Sequence, residues 1–260
     1  MEIWQAIVLG LVQGFAEFLP ISSSGHLILL SNWFGIEDNV IFYSVMLHLG
    51  TLIPVIIVLW KQVLDIFKKP FKLFGCLVLA TIPAGILGII FSEVIDLDTL
   101  FAENIWLLSI PFLFTAGEMI FSEIWAKKKQ MSNEINSKTA FIMGCGQAVG
   151  VFPGISRSGS TLTAGNLAKV DKTHNANFTF LMSIPIILAA VLLEGLDFVT
   201  SGSAIGIDVV PLVLGVLTAM ISGYIAIKFM LKIIKKANYK WFSVYLVLIS
   251  LANLIVYFVR

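Results

Sequence analysis

The stretch QGFAEFLPISSSGH, residues 13–26, lies inside a long apolar run and interrupts it. Gln13 and Glu17 are one helical turn apart, so they share a face of an entering helix. Pro20 ends that helix, because the residue before a proline is pushed out of the helical region. Ser22, Ser23 and Ser24 then supply N-cap oxygens for a returning helix, with His26 in its first turn. The same device recurs 134 residues later as QAVGVFPGISRSGS, residues 147–160. In that alignment Gln13, Phe18, Ile21, Ser22, Ser24 and Gly25 fall on Gln147, Phe152, Ile155, Ser156, Ser158 and Gly159. Upstream, Ala6 and Gly10 fall on Ala140 and Gly144.

Working outward, the rest of the chain is membrane sequence. Of its 260 residues 58% are hydrophobic and 13% charged, against about 25% charged in soluble domains; mean hydropathy is +0.95. Stretches near 40–60, 73–92, 104–125, 176–194, 207–228 and 241–259 each approach the roughly 20 apolar residues that cross a bilayer. The two stretches that hold the quoted motifs, 3–33 and 139–170, are broken by Pro, Gly and Ser. Each half is too short to span, so each stretch predicts a re-entrant helical hairpin. A polar tip survives at that depth only when protein buries it or it lines a wet cavity. The expected fold is an all-α polytopic membrane protein with six spanning helices and two re-entrant hairpins. It forms one membrane domain over 1–260, with repeat one at about 1–126 and repeat two at about 136–260. Three spanning helices per repeat is an odd number, which predicts an inverted-topology repeat with its site where the broken helices meet.

Charge placement orients this plan. No Lys or Arg occurs in 1–60, 73–126 or 173–227; they gather at 61–72, 127–138, 169–172 and 228–240. The positive-inside rule puts those clusters in the cytoplasm and both termini outside. The acidic segments 93–103 and 194–208 then face outward. Net charge of +1 gives no footprint for nucleic acid, and none is expected as a partner. Cys76 and Cys145 both lie in apolar runs and read as small core residues.

The two tips together suit an anion. A helix N-terminus offers free N–H groups and positive dipole. Arg157, deep in apolar sequence, needs an anionic partner, either Glu17 or a bound phosphate group. Ser156, Ser158, Ser160 and Thr161 add hydroxyls at the second tip, where Pro153 and Gly154 break the chain. Such a set can perform phosphoryl transfer: Arg157 stabilises charge, Ser23 or His26 attacks, and Glu17 acts as base or holds a divalent metal. Serine and glycine in membrane helices also serve close packing; the coincidence of both tips in one repeat favours chemistry. His48 reads as a helix-to-helix hydrogen bond, His174 as a solvated loop residue, and Glu118 as an intramembrane carboxylate with no supporting neighbour.

These motifs resemble the undecaprenyl-diphosphate phosphatase family, the bacitracin-resistance proteins. That family carries Glu/Gln-x-x-x-Glu followed by F-L-P-x-S-S-x-G-H, which Gln13–His26 matches, and P-G-x-S-R-S-G-x-T, which Pro153–Thr161 matches. Weaker similarity appears at HLGTL (48–52), ATIPAGILG (80–88) and NFTFLMSIP (177–185). The resemblance implies hydrolysis of undecaprenyl diphosphate to undecaprenyl phosphate and inorganic phosphate, which recycles a lipid carrier for cell-wall synthesis. It implies a divalent cation, Mg²⁺ or Ca²⁺, and a cytoplasmic-membrane protein whose site opens to the outer face. Glu17, Ser23, His26 and Arg157 become the catalytic candidates, with Glu17 also the metal candidate. Gln13, Ser22, Gly154, Ser156, Ser158 and Thr161 become the substrate-binding ones. The expected partners are a polyprenyl diphosphate lipid and the membrane lipids, with a homodimer compatible. Gln13 in place of the first Glu weakens a two-carboxylate metal site, while Asn177 and Lys172 depart from the family's Glu and Arg. A phosphatase of the phosphatidic-acid type is the weaker enzyme alternative, since no His follows Arg157 until His174. A polyprenyl-phosphate flippase with the same fold is the alternative from another class.

Overall fold

The computed structural model describes all residues except 37–39, 95–96, 132, 201–207, 237 and 260, and omits the side chains of 92–94, 98, 194 and 197–200. Thirteen α-helices and one short 3₁₀ segment occur among the described residues. The first half holds α1 (Ile3–Phe18), α2 (Ser23–Phe34), α3 (Val40–Val58), α4 (Trp60–Ile66), α5 (Lys72–Val94), α6 (Leu97–Glu103) and, after the 3₁₀ turn Ile105–Leu108, α7 (Ser109–Lys128). The second holds α8 (Ser137–Val149), α9 (Arg157–Leu167), α10 (Lys172–Leu181), α11 (Ser183–Thr200), α12 (Val209–Lys236) and α13 (Lys240–Val259). Six segments are long and apolar enough to cross a membrane: α3, α5, the 3₁₀ turn with α7, α10 with α11, α12 and α13. The protein is an all-α, multi-pass membrane protein.

Both broken stretches fall as paired short helices. At about 1.5 Å per residue, α1 reaches about 24 Å and α2 about 18 Å, short of a hydrocarbon core of about 30 Å. α8 and α9, with 13 and 11 residues, are also too short, and each pair packs against itself. The expected helix at 176–194 starts earlier and is divided at Met182. The cause is Pro185, which lacks an N–H and whose ring crowds the carbonyl four residues back. The expected 207–228 begins where the structure describes nothing and runs on to Lys236. Lysines are good helix formers, so the helix outlasts its apolar stretch. α4 falls largely in the basic cluster 61–72 and α6 in the acidic segment 93–103, outside the expected spans; the acidic segments 93–103 and 194–208 lie partly outside the described residues.

The halves interlock. The first short helix of each half packs on the second long helix of the other: α1 on α12, and α8 on α5. The third long helices, α7 and α13, pack together, as do α3 and α11. Lipid chains are as apolar as leucine, so such contacts depend on close van der Waals approach rather than on burial from water. Gly10 and Gly144, aligned in the sequence repeat, provide it. A Cβ on Gly10 would meet the Gly215 carbonyl oxygen at 2.3 Å, and one on Gly144 the Ala80 oxygen at 2.6 Å. Phe18 then closes the end of α1 edge-on against Phe180 of α10, ring centroids 5.6 Å apart. Cys76 is buried as expected, but Cys145 is exposed: an apolar run does not tell which face of its helix meets lipid.

Candidate active site

Glu17, in the last turn of α1, is the centre of the molecule's polar interior and is only 4% exposed. A carboxylate in that position is tolerable only when its oxygens are paired. Its Oε1 takes the Arg157 guanidinium from the first residue of α9. Its Oε2 accepts from Ser23 Oγ at 2.7 Å and from Gln13 Nε2, one turn back, at 3.2 Å. His48 Nε2, from α3, lies 3.4 Å from the same oxygen. Residues 140 apart in sequence thus share one carboxylate.

The two tips hold these groups in place by the same local chemistry. Ser22 is the N-cap of α2, its Oγ accepting from Gly25 N at 3.3 Å. Ser156 is the N-cap of α9, its Oγ accepting from Gly159 N at 3.2 Å. Ser24 and Ser158 sit beside these caps, at 3.5 Å and 3.2 Å. Of the three serines expected to cap α2, only Ser22 does so; Ser23 turns to Glu17 instead. Ser22 pays for its position with φ of +70°, a region that costs a non-glycine residue about 1–2 kcal/mol. Gly154, at φ +85°, makes the equivalent turn at the second tip without that cost.

A cavity of about 140 Å³ lies between the tips. Glu17, Ser23 and His48 line it from the first half, and Gly150, Ser156 and Arg157 from the second. At about 30 Å³ per water, this is the scale of a phosphoryl group rather than of an isoprenoid chain. Not every sequence candidate reaches it. Thr161 Oγ1 donates to the Arg157 carbonyl at 2.8 Å, and Ser158 Oγ to the Leu19 carbonyl at 3.3 Å; both tie backbone together. Gly154 packs against Pro111 and Leu108. Ser22 serves as a cap, and Gln13 supports Glu17 from behind. Lys172 and Asn177 sit in α10, away from the cavity lining.

His26 departs most from expectation. Three residues beyond Ser23, it does not pair with it. Its Nδ1 is 2.7 Å from the Ser22 carbonyl, which has only lone pairs, so Nδ1 carries the proton. Its Nε2 therefore accepts from Tyr245 Oη of α13, at 2.7 Å. The ring is stacked on Tyr245 and flanked by Phe112. Neither nitrogen has a free lone pair, and the ring is outside the cavity lining. His48, read as a helix-to-helix hydrogen bond, does meet another helix, and the group it meets is Glu17, so it also lines the cavity. The available signal was the general one that an ionisable residue inside a spanning helix is a functional candidate. Glu118 also finds a neighbour, accepting from Ser160 Oγ at 2.9 Å, while His174 is exposed on the first turn of α10 rather than in a loop.

The cation implied by the resemblance can be tested against these donors. Among the described residues no three His, Cys, Asp or Glu side chains come together. One buried oxygen is nevertheless unused. Gln13 turns its amide nitrogen to Glu17, and its Oε1 finds no hydrogen-bond partner among the described residues. A carboxylate and an amide oxygen suit a hard cation that takes its remaining ligands from a substrate's phosphate oxygens, as Mg²⁺ does.

Fold and site together define a multi-pass membrane protein with a serine–carboxylate–guanidinium centre held between two broken helix pairs. The chain belongs to the family described as Bacitracin resistance protein BacA, whose model matches residues 6–252. An undecaprenyl-diphosphatase of Carboxydothermus hydrogenoformans is 38% identical to it, over 98% of this chain and 97% of that relative. One from Bacteroides fragilis is 36% identical, over 98% of both chains. One from Moorella thermoacetica is 35% identical, over the full length of both.

Proposed function

We propose that this protein hydrolyses a polyprenyl diphosphate, undecaprenyl diphosphate by analogy with its relatives, to the monophosphate and inorganic phosphate. The observation that carries this reading is the Ser23–Glu17–Arg157 arrangement: a hydroxyl hydrogen-bonded to a buried base, with a guanidinium at the same cavity. On this reading the terminal phosphoryl group enters between the tips and draws Arg157 from Glu17 to its own oxygens, a planar fork matching two of them. Glu17, released from its strongest counter-charge, takes the Ser23 proton as Ser23 Oγ attacks phosphorus. Glu17 gives that proton to the polyprenyl monophosphate as the phosphorus–bridging oxygen bond breaks; water then hydrolyses the phosphoserine with Glu17 again as base, and the proton it takes returns to Ser23 Oγ. The free N–H groups of α2 and α9 face the same space and favour negative charge. Mg²⁺ or Ca²⁺, held by Glu17 and Gln13 Oε1, would neutralise charge on the phosphate oxygens. His26 keeps the first tip in shape through the Ser22 carbonyl.

The relatives' enzyme name favours hydrolysis over the flippase alternative. The lysine clusters support an inverted repeat with both termini outside the cytoplasmic membrane and the site opening outward. The decisive assay is release of inorganic phosphate by purified protein in detergent. One phosphate per lipid monophosphate is expected, with none from Ser23→Ala. Binding of the lipid without phosphate release in the presence of Mg²⁺ or Ca²⁺ would establish a carrier instead.

A further inference from the structure

The outward stripe of α12 changes character along its length. Val213, Leu217 and Ile221 are exposed on one side of the helix. At the same spacing of three or four residues the stripe continues through Tyr224 to Lys228, Lys232 and Lys235, all exposed, with Lys236 one turn from Lys232. At about 1.5 Å per residue the 28 residues of α12 reach about 42 Å. That exceeds a hydrocarbon core of about 30 Å and matches the roughly 40–45 Å of a bilayer with its headgroups. With Val209 at one edge of the hydrocarbon, Lys228 stands about 28 Å along the helix, at the other edge. Lys232, Lys235 and Lys236 then lie at the depth of the headgroups. Tyr224 is the kind of aromatic residue found at such a boundary. Its hydroxyl accepts from Lys228 Nζ, and its ring centroid lies 4.2 Å from that nitrogen.

These lysines are uncompensated. α12 and α13 contain no Asp or Glu, and among the described residues none of the four is in an ion pair. Lysines elsewhere differ: Lys68 pairs with Asp65 at 2.6 Å and Lys127 with Glu123 at 2.5 Å, each within a turn. On α12 the neighbours one turn away are like charges, Lys228 with Lys232 and Lys232 with Lys236, and such pairs destabilise a helix. The helix dipole favours cations only in the last turn. It accounts for Lys235 and Lys236 and leaves Lys228 and Lys232 without a reason. Orientation of the chain asks for positive charge at this end, but not for a row on the one face that meets lipid.

We infer that the row from Lys228 to Lys236 is a binding surface for anionic phospholipid headgroups in the leaflet at that end of α12, the cytoplasmic leaflet in the orientation proposed above. The occupant follows from the stripe: beyond the lipid tails that cover Val213, Leu217 and Ile221 lies the headgroup layer of those lipids. Phosphate groups there accept the lysine N–H donors and relieve the repulsion along the row. α12 is also the helix on which α1 packs, with Gly10 against Gly215, so headgroups held at its end steady the element behind Glu17. The lysines are outside the cavity lining, and the surface is independent of the hydrolase reading.

The test is lipid selectivity of the full chain purified in detergent, equilibrated with equimolar phosphatidylglycerol and phosphatidylcholine of matched tails and read by native mass spectrometry. A lysine near an anionic surface is worth on the order of fivefold in affinity, so wild type should retain phosphatidylglycerol over phosphatidylcholine by at least about tenfold. Lys228→Gln combined with Lys232→Gln should lower that preference at least about fivefold. Lys228→Arg with Lys232→Arg should preserve it. The charge-matched control, Lys68→Gln with Lys127→Gln, should leave it within about twofold of wild type, because those lysines already have acidic partners. Equal losses from the two glutamine pairs would reduce the effect to net charge and overturn the inference, as would no loss from the α12 pair. Displacement of the phosphatidylglycerol by excess inorganic phosphate would make the row a site for free anions and overturn it as well. If the α12 glutamine pair does not fold, the wild type and the arginine pair still decide: absence of a preference for phosphatidylglycerol in either sinks the inference.

Discussion

Ser22 and Ser156 cap their helices from the same register, yet the residues immediately after them, Ser23 and Arg157, have opposite chemistry. One is a hydroxyl and the other a guanidinium, and both reach Glu17 from the first position of a returning helix. Glu17 itself has no acidic counterpart; the second tip has Val151 there. Gln13 bonds to Glu17, while the aligned Gln147, buried at 1% exposure, finds no partner for either amide atom among the described residues. His26 binds Tyr245 of α13, and the aligned Ser160 binds Glu118 of α7, so each tip is anchored to the third long helix of the other half. The scaffold of the repeat is shared, and its chemistry is divided: acid, hydroxyl and amide on one side, cation on the other. A duplicated plan can diverge this way because the caps fix the backbone and leave the neighbouring side chains free to change.

The strongest way to break this division is to remove the hydroxyl. Ser23→Ala should lower turnover by on the order of 10³-fold or more, and adding Glu17→Gln should cost little further, because a nucleophile and its base act as a unit. Rapid-quench with labelled substrate in wild type should yield an acid-stable, base-labile phosphoserine. An acid-labile phosphoenzyme would move the attack to His26 and require the first tip to rearrange away from Tyr245.

Next comes the cation. Arg157→Lys keeps the charge but loses the planar fork, and should lose about 3–4 kcal/mol of transition-state stabilisation, on the order of 10²–10³ in kcat. It also tests whether Arg157 is only a counter-ion. In that case lysine would satisfy Glu17 equally well and phosphate release would stay within a few-fold of wild type.

The sequence showed much of this. Composition and run lengths located all six spans, and the repeat located both tips, because breaks in apolar sequence are conspicuous in a bilayer. It offered Glu17 or a bound phosphate group as the partner of Arg157, since a lone intramembrane charge needs one, and the structure pairs it with Glu17. What stayed hidden depends on rotamers and on helices distant in sequence. Ser23 and His26 are three apart and share a helical face, but whether they meet is decided by Ser22 O and by Tyr245, 219 residues away. His48 was visible as a histidine in an apolar helix; that it faces Glu17 follows only from how α3 packs on α1.

A smaller effect separates the two glutamines. Gln13→Met removes a hydrogen bond to a charged group, worth about 1.5–3 kcal/mol, and a candidate cation oxygen, so turnover should fall at least about tenfold. Gln147→Met removes an amide that bonds to nothing among the described residues. It should leave phosphate release unchanged and hold or raise the melting temperature in detergent. Equal losses from both would mean that Gln147 also serves the centre, and the division of chemistry would be less complete than the contacts indicate.

The smallest effect concerns the caps, where the tips are alike in hydrogen bonding and differ in backbone. Alanine at either Ser22 or Ser156 removes a cap, at about 1 kcal/mol of stability. Glycine at a cap costs only a few tenths, and what it returns depends on φ. Ser156 is at −77°, where glycine has no steric advantage over alanine to add to its better capping. Ser22 is at +70°, where glycine escapes a steric penalty of about 1–2 kcal/mol that alanine retains. Ser22→Gly should therefore be close to wild type in thermal unfolding and clearly more stable than Ser22→Ala, whereas the gap between Ser156→Gly and Ser156→Ala should be narrower by about 1 kcal/mol. Matching gaps at the two sites would show that Ser22 is not strained. The first tip would then hold Ser23 against Glu17 by hydrogen bonding alone, and the two tips would differ only in their side chains.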